Sequence, residues 1–422
     1  MRRCRVLSVL PRAPVLAPFS VRSFRFQWPA DLATSWAFEM ETLILGWYVL
    51  VETGSVLLLT VFASLQHIGT LIAPMFGVMG DRIGHRNLLC GMRALYATLA
   101  ATLMILAFMD AVTPMLVLII AALMGMVRPS DIGMRAVLVG ETMPPDHLMG
   151  AMGIQRTTQD SARIAGALTG AGLVAMLGMG PAYVVVAGLY ALSVVLTYKA
   201  GSARQADATN VSTRPSPWRD LQQGLVYVWN TPLLLAVMCL AFLLNLTAFP
   251  LINGLLPYVA KEIYRADQTW LGYMVAGAAC GALFSSIVLS RVGHAIQAAR
   301  ITIVACAAWY AALFVFAHVQ HPAGGIAILF LAGCAQSASQ VPMAAMLLRN
   351  SDEQLRGRVM GIRMLAIYGN LPGLLISGPL IAHFGYPVTA TLYCATGLAF
   401  TLFITLRWRA HLWRSDAPAN TR

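Results

Sequence analysis

The residues able to do chemistry in this sequence are a small set of charges placed inside long apolar runs. Glu39 and Glu41 lie in the run 32–52, with Trp36 close by and no basic residue in the same run to neutralise them. A charge at the centre of a bilayer costs about 2.5–3.5 kcal/mol even on the lenient insertion scale, so an intramembrane ion is a functional candidate by default. An unpaired carboxylate in a low-dielectric interior favours its neutral form and can load and release a proton as its hydration changes. Both glutamates are therefore proton-coupling candidates. Glu39 is the first choice, because it sits about 12 Å inside the end of its helix. Two residues apart, the pair points to nearly opposite sides of a helix.

Two further charge groups recur at helical spacing, Arg128, Asp131 and Arg135, and Arg156, Asp160 and Arg163. Steps of three and four place each trio on one stripe, where each aspartate is expected to pair with two arginines of its own helix. A structural or gating role suits such satisfied charges better than substrate contact.

Other chemistries are excluded by what is missing. The patterns H-E-x-x-H, G-x-S-x-G and G-x-x-x-x-G-K-[ST] do not occur, which argues against a metalloprotease, a serine hydrolase and a nucleotide-driven pump. The seven cysteines are scattered singly and read as small packing residues. His67, His318 and His383 also stand alone, so no metal site and no cofactor is expected. Energy for any transport would come from a proton or solute gradient.

The elements that position these charges must be membrane helices. Hydrophobic residues make up 58% of the 422 residues and charged residues 11%, against roughly 25% charged in a soluble domain. Spanning runs are expected over 32–52, 56–78, 87–109, 114–138, 155–178, 181–200, 232–256, 268–290, 299–319, 323–347, 362–382 and 386–407. The fold class is thus an all-α membrane protein of twelve transmembrane helices. The longest polar break, Lys199 to Asp220, falls at the middle. The layout expected is an amino-terminal tail 1–30, a six-helix half 31–200, a linker 201–230 carrying an interfacial helix, a second half 231–408 and a tail 409–422.

The formal charge of +12 does not mark a nucleic-acid surface. Arg82, Arg86, Lys199, Arg204, Arg214, Arg291, Arg356 and Arg358 collect in alternate loops, and further arginines at both ends of the chain. That asymmetry places both termini and the linker in the cytoplasm. The loop with Lys261 and Arg265 is the exception. Trp218, Trp408 and Trp413 read as interface anchors.

The halves echo each other. Arg82-Ile83-Gly84-His85 returns as Arg291-Val292-Gly293-His294, and Met152-Gly153-Ile154 as Met360-Gly361-Ile362, at an offset of about 208 residues. Two ordered matches at nearly one offset indicate duplicated halves around a midplane site.

Gly77-Val78-Met79-Gly80-Asp81-Arg82-Ile83-Gly84-His85-Arg86 lies in the turn between the second and third segments. Here the chain resembles the major facilitator superfamily, whose loop signature G-x-x-x-D-R-x-G-[RK]-[RK] is matched at Gly77, Asp81, Arg82, Gly84 and Arg86, with His85 replacing one basic residue. The glycines permit a tight turn. Leu45 to Leu50, Tyr227-Val228-Trp229 and Arg356 to Gly361 are similar to exporters related to the enterobactin exporter and drug efflux proteins. In the fifth segment Gly166 and Gly170 suit close helix packing. The bend proline usual in drug antiporters is missing there.

The resemblance implies two pseudo-symmetric six-helix halves. It also implies docking of Asp81 near the start of helix eleven, and a central cavity lined by helices one, four, seven and ten. Its polar and aromatic candidates are Trp36, Glu39, Asp131, Asn245, Phe249, Gln336 and Gln340. The reading is a monomeric, multi-pass protein of a bacterial inner membrane, with lipid, a small-molecule substrate and protons as its partners. It would export an amphipathic or hydrophobic compound by alternating access. Uptake by the same fold, and a transporter-like sensor or assembly protein without flux, are the rival readings.

Overall fold

A chain dominated by apolar runs must satisfy its backbone polar groups internally once it enters lipid, and helices do this within one segment. The computed structural model describes residues 17–200, 217–292, 297–352 and 355–409, and among them the regular structure is helical with no strand. α1 (Arg22–Thr53) ends where Gly54 adopts φ 61° and its N–H returns to the Leu50 carbonyl at 2.9 Å. The Ser55 hydroxyl then accepts the Leu58 N–H at 3.3 Å and opens α2 (Val56–Leu65). A 3-10 turn at Ile68–Ile72 leads into α3 (Ala73–Ile83). Gly84, with φ 87°, turns the chain directly into α4 (His85–Phe108). α5 (Pro114–Thr142) and α6 (Pro145–Leu177) both start on a proline, whose missing N–H costs nothing at a first turn. Gly178, φ 85°, joins α6 to α7 (Met179–Lys199).

The second half follows α8 (Pro217–Asn230), a helix with Trp229 69% exposed. Next come α9 (Pro232–Thr247), α10 (Phe249–Asn253), α11 (Leu256–Tyr258) and a π-turn at Val259–Ile263. α12 (Gln268–Val292), α13 (Ala298–His318) and α14 (Pro322–Arg349) are unbroken. α15 (Arg356–Leu365) passes through a 3-10 turn at Ala366–Gly369 into α16 (Asn370–Phe384). Gly385, φ 78°, then starts α17 (Tyr386–Arg407). Gly178 and Gly385 hold equivalent places in the sequence repeat.

Among the described residues, nine stretches are long and apolar enough to cross a membrane. Of the expected spans, those in α1, α2 with α3, and α6 are not among them. α1 and α6 have the length, 32 and 33 residues, but carry the charged groups; the second is broken.

Several boundaries differ from expectation. Helix begins at Arg22 rather than near 32, so the expected tail of residues 1–30 is structured from Ala17 onward. Phe24 buries against Val139 and Ala151, which extends the helix past the apolar run. α6 likewise starts ten residues before the expected 155, with a polar first turn. The second and eleventh segments, expected to be continuous, both contain 3-10 turns. The cause at the second is backbone contact with α5. A methyl group placed at Gly125 would lie 2.0 Å from the Leu65 carbonyl oxygen, and one at Gly69 2.1 Å from that of Met126. The linker residues 201–216 and the tail from 410 lie outside the described residues.

The buried residues fall into two large clusters. One is built from residues between Ala37 and Tyr190. The other runs from Val228 to Ile404 and takes in Leu43, Val56, Ala167 and Ala171 from the first half. The halves meet where α6 packs along α12 and α2 along α16. Gly272 faces Ala167 and Ala171 at distances that leave no room for a side chain, and a methyl group at Gly378 would lie 2.3 Å from the Thr60 hydroxyl oxygen. With no hydrophobic driving force between helices in lipid, such small-residue contacts carry the packing.

Candidate functional site

The charges inside the first half are brought together by five helices. Asp31 of α1 and Asp131 of α5 face Arg93 of α4 and Arg135 of α5. Arg93 binds Asp31 directly and stands 3.6 Å from Asp131. Arg135 binds Asp131 directly and stands 3.8 Å from Asp31. Arg93 also donates to Thr197 of α7, and Gln155 of α6 donates to Asp31 at 3.2 Å. Arg93 and Asp131 are 0% exposed. Two carboxylates against two guanidiniums make this a neutral buried quartet.

Of the pairing expected along α5, Arg135 keeps Asp131 and Arg128 does not. Arg128 leaves the α5 stripe and donates to Thr42 at 3.1 Å and to Gln66 at 2.5 Å, its guanidinium 4.6 Å above the Phe38 ring. Asp131 finds Arg93 on the neighbouring helix instead, because α4 packs against α5. Asp131, also expected to line the cavity, is instead enclosed within the first half. Sequence reading passed over Asp31 and Arg93. The available signal was a lone arginine inside the apolar run 87–109.

The two glutamates occupy different surroundings. Glu41, 5% exposed, accepts a hydrogen bond from the Tyr190 hydroxyl at 2.8 Å, with Tyr183 beside it. The expectation that nothing basic neutralises it holds for α1 alone, since Arg128 of α5 acts on it electrostatically. Glu39 turns toward α6 and is only half-buried. Gly166 leaves space there: a methyl group at that position would lie 2.6 Å from the Glu39 Cβ. Trp36, one turn earlier, donates to Thr169 of α6 at 2.8 Å.

α6 carries its own charges at the same face. Arg156 lies 3.4 Å from Asp160, and Glu39 and Arg163 are among the electrostatic neighbours of that aspartate. Arg163 does not complete a stripe of its own; it crosses to the second half and donates to Asn253 at 2.8 Å. Gln340 of α14 accepts from Arg363 of α15 at 3.3 Å. The remaining cavity candidates are engaged inside the second half. Asn245 donates to the Ala241 carbonyl of its own helix, Phe249 stands edge-on to Trp309 with centroids 5.1 Å apart, and Gln336 is buried.

The halves are tied by further polar contacts near mid-depth. His67 Nδ1 lies 3.1 Å from the Ala63 carbonyl, which only accepts, so this nitrogen carries the proton. Its Nε2 then accepts the Asn370 amide N–H at 3.0 Å. Tyr368 donates to the Thr70 carbonyl, so the two 3-10 turns meet across the interface. At the end marked by Gly54, Lys261 donates to the Leu50 carbonyl at 3.0 Å. This satisfies one of the two basic residues in the exceptional loop.

The loop signature sits at the opposite end. Gly77 and Gly80 belong to α3; a side chain at Gly80 would meet the His85 ring. His85 lies 2.7 Å from Glu141 at the end of α5. Arg86 donates to Asn87 at 3.1 Å and to the Ala200 carbonyl at 3.4 Å, with its guanidinium 5.6 Å from the Tyr198 ring. Arg82 is exposed. The side chain of Asp81 lies outside the described residues, and with it the expected docking near helix eleven. Among the described residues no group of three His, Cys, Asp or Glu side chains could hold a metal ion.

Comparison with known proteins places this geometry in context. The family model described as Major Facilitator Superfamily matches residues 32–377 and, in a second match, 239–419. No curated protein matches the sequence significantly. Among solved structures, the nucleoside transporter NupG superposes with a TM-score of 0.71 at 13% identity, covering 91% of this chain and 99% of its own. An auto inhibited POT family peptide transporter gives 0.70 at 13% identity, with 95% and 98% covered. The POT family transporter PepTSo gives 0.69 at 13% identity, with 93% and 99% covered. At these identities the likeness is one of fold.

Proposed function

The chain belongs to the Major Facilitator Superfamily, and from that membership we propose that it is a secondary active transporter working by alternating access of two halves. It is a multi-pass membrane protein with a transporter fold. In the proposed reading it crosses the bilayer twelve times, as six-helix halves over 31–200 and 231–408, with both termini and the linker in the cytoplasm. It acts as a monomer in a bacterial inner membrane. Its substrate is an amphipathic or hydrophobic small molecule, drug-like or siderophore-like, moved outward in exchange for protons entering through Glu39.

The observation that supports this reading is the one-sided distribution of contacts between the halves. Lys261 to Leu50, Thr60 to Gly378, and Ala167 and Ala171 to Gly272 all lie toward the end where α1 and α6 finish. Arg163 to Asn253 and His67 to Asn370 form a polar floor near mid-depth. Beyond the floor, toward the ends carrying Arg82 and Arg156, those two side chains are exposed. Contacts between the halves gathered toward one end fit one of the two states that alternating access requires.

The test is flux in vesicles containing the purified protein, with a panel of amphipathic compounds, nucleosides and dipeptides and an imposed pH gradient. At least one amphipathic compound is expected to show saturable exchange and to accumulate with the gradient. Exchange that ignores the gradient would remove proton coupling. A folded protein that moves nothing in the panel would support the sensor reading instead, and gradient-driven entry in the opposite sense would make it an uptake system.

A further inference from the structure

A histidine stands at the contact between the halves, and its proton chemistry is unused in the transport reading. His67 follows α2 and precedes the 3-10 turn at Ile68–Ile72, whose backbone is pressed onto α5. Methyl groups at Gly69 and Gly125 would overlap the carbonyls of Met126 and Leu65. His67 therefore moves with the first half. Asn370 opens α16 between Gly369 and Gly373, where added methyl groups would lie 2.8 and 2.2 Å from the carbonyl oxygens of Phe242 and Leu246 of α9. Asn370 therefore moves with the second half, and any separation along this face has to part the two side chains.

The bond between them has a fixed polarity. Because Nδ1 gives its proton to the Ala63 carbonyl at 3.1 Å, Nε2 of the neutral ring holds a lone pair and accepts the Asn370 amide at 3.0 Å. A second proton lands on Nε2 and turns the acceptor into a donor, so that two donors face each other. The Asn370 amide oxygen, which has no hydrogen-bond partner among the described residues, replaces the N–H only if the amide turns over. That arrangement would keep a cation beside Arg128, which bonds Gln66, the residue before His67, at 2.5 Å and acts on the ring electrostatically. Repulsion between two cations is strong in a dry interface and falls once water enters. The other charged groups on the surrounding helices are engaged elsewhere or stand at far ends. On α5, Asp131 pairs with Arg135 and Glu141 with His85, and on α1, Glu41 is bonded to Tyr190 while Glu39 turns toward α6. Arg363 of α15 reaches Gln340, Asp81 and Arg82 lie in the last turn of α3, His383 lies in the last turn of α16, and α9 carries no charged residue.

We propose that His67 and Asn370 form a proton-operated catch between the halves, closed while the imidazole is neutral and released when it takes a second proton. Histidine is the side chain whose charge changes between about pH 5 and 8. Acidification therefore favours separation, and a rise in pH favours the joined arrangement. The parallel contact from Tyr368 to the Thr70 carbonyl has no proton to gain in that range, so the catch shifts a balance between states and does not pull the bundle apart. The inference rests on the reading of two halves that separate, and gives that motion a regulator distinct from Glu39.

The experiment uses the full-length chain with its seven native cysteines replaced, with Glu39→Gln in place so that the proposed coupling carboxylate contributes nothing, and with spin labels at Val51→Cys and Val388→Cys. Both positions are exposed, one on each half, at the end where α1 finishes and α17 begins. From about pH 8 to about pH 5 the population at long inter-label distance is expected to rise about threefold or more. His67→Gln keeps a hydrogen-bond acceptor that cannot take the proton, and its distances should be the same at both ends of that range. Asn370→Leu removes the partner, so its long-distance population should already be raised at the alkaline end and change little on acidification. A pH response that survives in either variant overturns the catch, as does a parent that does not respond. A shift toward shorter distances on acidification overturns it too, since the amide would then have turned over to hold the charged ring. If His67→Gln fails to fold, Asn370→Leu decides on the same criterion, and failure of both marks the contact as purely structural and rejects the catch. Distances are read without flux, so these outcomes leave the transporter reading standing, and a protein that moves nothing in vesicles but keeps the pH response loses that reading and not the catch.

Discussion

Asp131→Leu is expected to destabilise the folded protein by about 3–5 kcal/mol, the cost of leaving a buried charge without its partner. The carboxylate is fully buried and divides its interaction between Arg135 on its own helix and Arg93 on α4. Removing it leaves two guanidiniums around Asp31 alone, with Gln155 and Thr197 as their neutral neighbours. The excess cation cannot reach water, because α1, α4, α5, α6 and α7 all contribute to its enclosure. The same reasoning gives the compensating change. Asp131→Leu combined with Arg93→Met removes one charge of each sign, and should be markedly less destabilising than the sum of the two single changes. Thermal midpoints of the purified variants measure this. Additive effects, or a single-variant loss below about 1 kcal/mol, would mean that the quartet is screened by water.

Glu39→Gln is expected to abolish gradient-driven accumulation while leaving folding and substrate exchange intact. One pH unit corresponds to about 1.4 kcal/mol per proton, enough for roughly tenfold accumulation at one-to-one coupling. The variant should fall to an accumulation ratio near one. Glu39 is half-buried beside α6, with Asp160 as its electrostatic neighbour, so a change of state can change its hydration. Glu41 is enclosed by Tyr190 and Tyr183 inside the first half, and a glutamine there can still accept the Tyr190 hydroxyl. Glu41→Gln should therefore retain most of the accumulation. Full gradient-driven transport in Glu39→Gln would remove the assignment, and full transport in both variants would end carboxylate coupling in α1.

The family and the helical class were legible in the sequence because lipid imposes them. Apolar runs of spanning length, alternating arginine-bearing loops and the repeated R-x-G-H turns need no tertiary information. Pairings between helices were not legible. Arg128 stands three residues from Asp131 and still bonds Gln66, since a long side chain is recruited by whichever helix packs against it. Asp31 lies one residue outside the run 32–52, and no pattern within that run shows that Arg93 of α4 meets it. The 3-10 turns at Ile68–Ile72 and Ala366–Gly369 were hidden for a related reason. They arise where Gly69 meets α5 and where Gly369 meets α9, contacts that no periodicity within one segment encodes.

Transport by separation of the halves requires the contacts at the Gly54 end to part, and a reversible staple across them stops the cycle. A Cβ placed at Gly378 lies 3.4 Å from that of Thr60, close to the separation of about 3.5–4.5 Å found in disulfides. Thr60→Cys with Gly378→Cys, in a chain whose seven native cysteines are replaced, should therefore cross-link under mild oxidation and hold the halves together at that end. With the compound found in the vesicle panel, the oxidised protein is predicted to carry no flux and to regain it on reduction. Undiminished flux with the cross-link fully formed would contradict alternating access by separation of these halves.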